Sequence, residues 1–134
     1  MSNAEYLKPK GLAINPAYSH VVVASGARTI YVSGQVAIDE NGAVVGEEDD
    51  LAGQTHQAMR NVGLCLAAAG ASFEDIVKIT TYVVNYKPED RAVIGKARTP
   101  FFVDRPPPAS TLVGVSALAA PEWLIEIEAI AVVN

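Results

Sequence analysis

The chain has 134 residues and a mass of 14.1 kDa, is 50% hydrophobic with a mean hydropathy of +0.21, and carries a formal charge of −5. That length implies one domain over residues 1–134, and an acidic balance with no window of clustered Lys and Arg argues against nucleic acid as a partner. No apolar run approaches the ~18–20 residues of a membrane span, the first 15 residues lack the apolar segment of a secretory leader, and one cysteine, Cys65, cannot form an internal disulfide; a soluble cytoplasmic protein is expected.

Taken in chain order, LKPK (7–10) reads as a short first strand. VVVAS (21–25) and RTIYVSGQV (28–36) are β-rich runs separated by Gly26-Ala27, which predicts a hairpin. DENG (39–42) is a turn. Asp49 or Asp50 then caps a helix whose apolar stripe is Leu51, Thr55, Ala58, Met59, Val62, Leu66 and Ala69, closed by Gly70. The β-branched and aromatic run DIVKITTYVV (75–84) is a strand. Pro88, Glu89 and Asp90 open a second helix that runs to about Thr99, before Pro100. Phe101 and Phe102 pack under its end, and PPP (106–108) is a stiff connector. STLVGVSAL (110–118) is the next strand, AAPE a turn, and WLIEIEAIAVVN (123–134) holds the last strand. The order β-β-β-α-β-α-β-β predicts an α+β fold, a two-layer sandwich with a mixed sheet and two helices on one face.

The last strand poses the functional question. Its residues alternate between faces, so Ile125, Ile127, Ala129, Ala131 and Val133 form one apolar face. Leu124, Glu126, Glu128, Ile130 and Val132 form the other, neither a core face nor a plainly solvated one. Helices on one side leave that second face open, and an apolar small domain with an uncovered face favours a closed homo-oligomer.

Familiar chemistries find little support. His20 and His56 belong to no ligand-spaced pair and one Cys completes no zinc set, so no metal is expected. The glycines match neither a dinucleotide fingerprint nor a phosphate loop, and no GxSxG backs a nucleophile triad; no cofactor is expected. EEDD (47–50) reads as a solvated helix start.

NPAYSH (15–20), YVSGQVAID (31–39), AAAGAS (67–72), VKITTYV (77–83) and IEIEAIAVV (125–133), in that order, resemble the YjgF/RidA family over essentially the whole chain. The resemblance implies a chorismate-mutase-like fold assembled as a homotrimer. Its sheets surround a central barrel, and a small-molecule cleft lies at each subunit boundary. It implies that Glu126 holds a water in that cleft, that Tyr18, Ser33 and Gly34 line it, and that Glu128 is structural or interfacial. Trp123 is a candidate aromatic wall.

One departure matters. Deaminases of the family carry an arginine in a Pro-Ala-Arg-Ser segment that binds a carboxylate. Here the stretch reads PPASTLVGV (107–115). Aligning through Gly114-Val115 puts Ser110 at the arginine; favouring the C-terminal end puts Thr111 there. A guanidinium–carboxylate pair makes two charge-assisted hydrogen bonds of roughly 1.5–3 kcal/mol each, which one serine hydroxyl does not replace. Arg98 or Arg105 could compensate only by reaching the cleft from elsewhere. Without such a cation the cleft no longer favours anions, and little activity on 2-iminopropionate is expected. The expected function is hydrolysis of a small imine, enamine or related metabolite by a divergent member. The alternatives are a non-catalytic trimer that binds a metabolite or protein, and an endoribonuclease-like activity.

Overall fold

A computed structural model describes residues 3–134. Strand β1 is Ala4–Leu7, β2 Val21–Ala24 and β3 Arg28–Gln35; helix α1 is Leu51–Ala68; β4 is Ile76–Val84; α2 is Asp90–Arg98; β5 is Ala109–Val115 and β6 Ile125–Val133. Short 3₁₀ turns at Phe73–Asp75 and Thr99–Phe101 precede β4 and follow α2. The order of elements is the one read from the sequence.

The pairing is not. β2 pairs antiparallel with β1, and β3 joins a separate four-stranded sheet of order β3-β6-β4-β5. The hairpin expected between β2 and β3 is therefore absent. Gly26 is needed for another reason: a Cβ there would collide with the carbonyl of Val133, so the chain passes tightly over the end of β6 between the two sheets. The first strand is AEYL, ending where LKPK begins. In the main sheet β4 and β5 run parallel while β6 is antiparallel to both neighbours, β3 and β4. β5 stops at Val115, short of the expected 118, because its partner β4 ends at Val84, opposite Val115.

Both helices cover one face. Asp50 caps α1, its carboxylate accepting from Gly53 N at 2.9 Å, an interaction of about 1 kcal/mol. Thr55, Ala58, Met59, Val62 and Leu66 are buried as their spacing predicts, and Gly70 follows the helix at φ +74°. α2 contributes Ile94. These side chains meet Ile76, Ile79, Val83, Ile125, Ile127, Ala129 and Ala131 in one core. Every residue of the apolar face of β6 is buried, whereas Leu124, Glu126, Glu128, Ile130 and Val132 on the other face are half-buried. No helix is long and apolar enough to cross a membrane among the described residues.

Candidate functional site

The register of β6 separates its two acids by function. Glu128 lies opposite Thr80 and Glu126 opposite Tyr82. Tyr82 reaches diagonally, and its hydroxyl donates to Glu128 Oε1 at 2.9 Å. That bond raises the phenol pKa, with desolvation and the charges of Glu128 and Glu126 adding to it. Glu128 is thus committed. Glu126 accepts no hydrogen bond among the described residues. Its carboxylate lies against the backbone of β3, where the register breaks between Val32 and Gln35. A Cβ at Gly34 would overlap Glu126 Oε2, so only glycine permits this approach. Gln35 Nε2 donates to the carbonyl of Ser33 at 3.1 Å and braces the bulge. The result is a half-buried carboxylate, without a hydrogen bond among the described residues, beside an exposed serine.

A second cluster lies on the helix side of the sheet. Ser110 pairs in register with the core residue Ile79, so its side chain faces α2. Ser19 forms a parallel bridge to Ala109 and donates through N to Pro108 O at 3.1 Å and through Oγ to Pro107 O. That clamp brings Tyr18 to the start of β5. Tyr18, Tyr86, Arg91, Arg98, Arg105 and Ser110 line a groove of about 520 Å³ with apolar neighbours that include Ile94 and Phe102. Two of its arginines differ sharply. Arg105 donates to the carbonyls of Phe73, Ile76 (2.9 Å) and Pro106 (3.0 Å) and to the Tyr6 hydroxyl (3.2 Å), which ties it to the entrance of β4. Among the described residues Arg98 makes one hydrogen bond, from Nη1 to Thr81 Oγ1 at 3.3 Å, and its guanidinium stands 5.9 Å from the Phe102 ring centre. Desolvation lowers the Arg98 pKa to about 10, which leaves it cationic at neutral pH.

The fold and these two clusters invite comparison with known proteins. The family model described as Endoribonuclease L-PSP matches residues 10–133. The chain belongs to this family, which includes the YjgF, RidA and RutC proteins. A Rid family protein of unknown function from Yersinia pestis, YyfB, is 40% identical, with a TM-score of 0.91 over 98% of this chain and 99% of that one. A RutC family protein of Pyrococcus horikoshii is 36% identical over 76% of this chain and 77% of its own length. The 2-iminobutanoate/2-iminopropanoate deaminase of Rattus norvegicus is 37% identical over 87% of this chain and 80% of its own length.

Within this RidA-family chain the residues singled out from sequence fall into separate places. Glu126, Ser33 and Gly34 come together on the open face. Tyr18 and Ser110 come together in the groove on the opposite side of the sheet. Thr111 faces away from the groove, and its hydroxyl accepts from Lys78 Nζ at 2.6 Å, so the groove position belongs to Ser110. Trp123 is half-buried in the turn before β6, its backbone N–H donating to Ala120 O at 3.2 Å, and it does not line the groove. His20 donates from Nε2 to Ala13 O at 2.7 Å and His56 is exposed. No group of three or more His, Cys, Asp or Glu is placed to hold a metal among the described residues.

Two residues matter that the sequence reading passed over. Gln54 is 2% exposed on α1; its Nε2 donates to Glu122 O at 3.0 Å and its Oε1 accepts from Leu124 N at 2.9 Å. It clamps the chain where β6 begins and so sets the position of Glu126. A polar residue beside the apolar stripe was the available signal. Tyr82 is the other, since its hold on Glu128 distinguishes the two acids.

Proposed function

We propose that the chain assembles as a homotrimer and hydrolyses a small imine- or enamine-type metabolite, with Glu126 as the base that activates water. Water attacks the carbon of the C=N bond while Glu126 takes one of its protons. The nitrogen gains a proton, a carbinolamine results, and its collapse releases ammonia and a carbonyl compound. Donors in the cleft stabilise charge as it develops. The observation that carries this reading is the Gly34–Glu126 approach: the missing side chain at Gly34 leaves room for an otherwise uncommitted carboxylate against β3, while its neighbour Glu128 is occupied by Tyr82.

Proteins of Rattus norvegicus and Homo sapiens that resemble this chain are named 2-iminobutanoate/2-iminopropanoate deaminase. Aligning Ser110 with the arginine that the resemblance assigns to such deaminases, we read this chain as a divergent member and not a standard 2-imino acid deaminase. Trimerisation answers the separation of the two clusters. Closing three open faces around an axis buries Tyr31, Val113 and Ile130 and brings the β5 edge of one protomer to its neighbour.

The test is turnover. Wild type is offered imines and enamines with and without a carboxylate, with ammonia release as the readout. Glu126→Gln, which keeps size and loses the base, is expected to lower kcat by about 10²–10⁴. Unchanged turnover of a genuine substrate by Glu126→Gln sinks the assignment. Saturable binding without turnover in the wild type instead supports a metabolite-binding trimer, the second reading that the loss of the strand arginine favours. RNA cleavage, suggested by the family's description, fits poorly with a net charge of −5.

A further inference from the structure

We propose that the groove between α2 and β5 binds the anionic group of the ligand, a carboxylate or phosphate, through the guanidinium of Arg98. The identity of the reaction rests on the proposed hydrolase function; the binding itself does not.

Among the described residues Arg98 is a cation without an anion. Among the described residues its one hydrogen bond is to a neutral hydroxyl, and no aspartate or glutamate lines the groove although the chain holds 15 of them. Removing a guanidinium from water is costly unless a counter-charge restores what solvation supplied. Phe102 returns only a modest cation–π attraction at 5.9 Å. A ligand anion is the missing counter-charge, and the lowered pKa of the group is consistent with that want. The surroundings suit it. Arg91 lines the same groove, and the hydroxyls of Tyr18 and Ser110 are free of hydrogen bonds among the described residues. A volume of about 520 Å³ admits a small metabolite.

The same geometry accounts for Ser110. A further guanidinium on β5 would add a like charge to a groove that Arg91, Arg98 and Arg105 already line, whereas a serine leaves room for the side chain arriving from α2 and adds a neutral donor. Arg98 meets β4 at Thr81, whose register partner on β5 is Leu112, two residues beyond Ser110. Two strand residues span about 7 Å. The anion is therefore displaced along the sheet from where a strand arginine at 110 would hold it. Ligand selection shifts towards a different separation between the anion and the reacting carbon. On this reading anion preference survives the loss of the strand arginine, because the cation comes from α2 instead of β5.

Calorimetric titration of the full chain with 2-oxobutanoate, the keto acid that hydrolysis of 2-iminobutanoate yields, and separately with inorganic phosphate, tests the proposal. Wild type should bind at least one of them saturably. Arg98→Met should weaken that binding about tenfold to a hundredfold, the loss expected for a charge-assisted pair, and Arg98→Lys should recover part of it. Ser110→Asp leaves the core intact and supplies an internal carboxylate to the groove; it should weaken binding to a similar extent, and it decides the matter if Arg98→Met does not fold. Absence of binding in wild type, or unchanged binding in Ser110→Asp, overturns the proposal, as does unchanged affinity in folded Arg98→Met. Loss of turnover in Glu126→Gln with no anion binding by wild type sinks this inference and spares the hydrolase reading. The reverse pattern, with anion binding lost in Arg98→Met but turnover intact in Glu126→Gln, sinks the hydrolase reading and spares this one.

Discussion

Gly34 and Glu126 constrain each other through a contact in which one partner is backbone. Adding a methyl group at Gly34 displaces the far end of a flexible side chain, so the structural cost is one altered rotamer, about 0.5–1.5 kcal/mol. The catalytic cost is larger, because a shift of about 1 Å in a reacting group can cost on the order of 10² in rate. Gly34→Ala should therefore lower kcat by about that factor while its midpoint of thermal unfolding moves by only a few degrees. Kinetics paired with a melting curve distinguish this from general damage. A variant that melts far lower yet keeps its activity contradicts the positioning role.

At the scale of elements, what places Glu126 is a side chain on a helix. Gln54 satisfies Glu122 O and Leu124 N at once, so α1 fixes the chain two residues before the acid. Truncating it to alanine removes the partner of the half-buried Leu124 N, at about 1–3 kcal/mol, and of Glu122 O, which belongs to an exposed residue and can turn to water. Gln54→Ala should lose about 1–3 kcal/mol of stability by urea denaturation, chiefly from the unpartnered Leu124 N. Its kcat should fall more than its affinity for a keto acid, because the groove on the helix side does not depend on where β6 starts. Equal loss of both contradicts this division. α2 has the complementary role: its last turn delivers Arg98 to Thr81, and the 3₁₀ turn after it brings Phe102 under the guanidinium.

For the whole molecule, the unresolved balance is the open face of the four-stranded sheet. Tyr31 is 77% exposed and lies opposite Ile130 in register. Val113 is exposed on β5, and the two acids of β6 lie between these strands. An apolar face of this kind on so small a domain is what assembly would cover. Light scattering should return three times the 14.1 kDa chain mass for wild type. Ile130→Asp puts a charge on that face and not in the core; it should return a single chain mass, keep its circular dichroism, and lose turnover. A wild-type chain that scatters as a monomer and still turns over substrate removes the trimer from the argument.

Much of this protein was written in local pattern. Alternation along 125–133 declared one face of β6 buried and left two acids on the other, and a three- and four-residue rhythm declared the inner face of α1. Such periodicity records which side of an element meets apolar matter, because burial acts on every turn or every second residue. It does not record which element lies opposite. The pairing of β2 with β1, the bulge that seats Gly34 on Glu126, the grip of Gln54 on β6 and the reach of Arg98 to Thr81 each join residues distant in sequence. Only the path of the intervening chain decides those contacts, and one side chain touching one partner leaves no repeating trace.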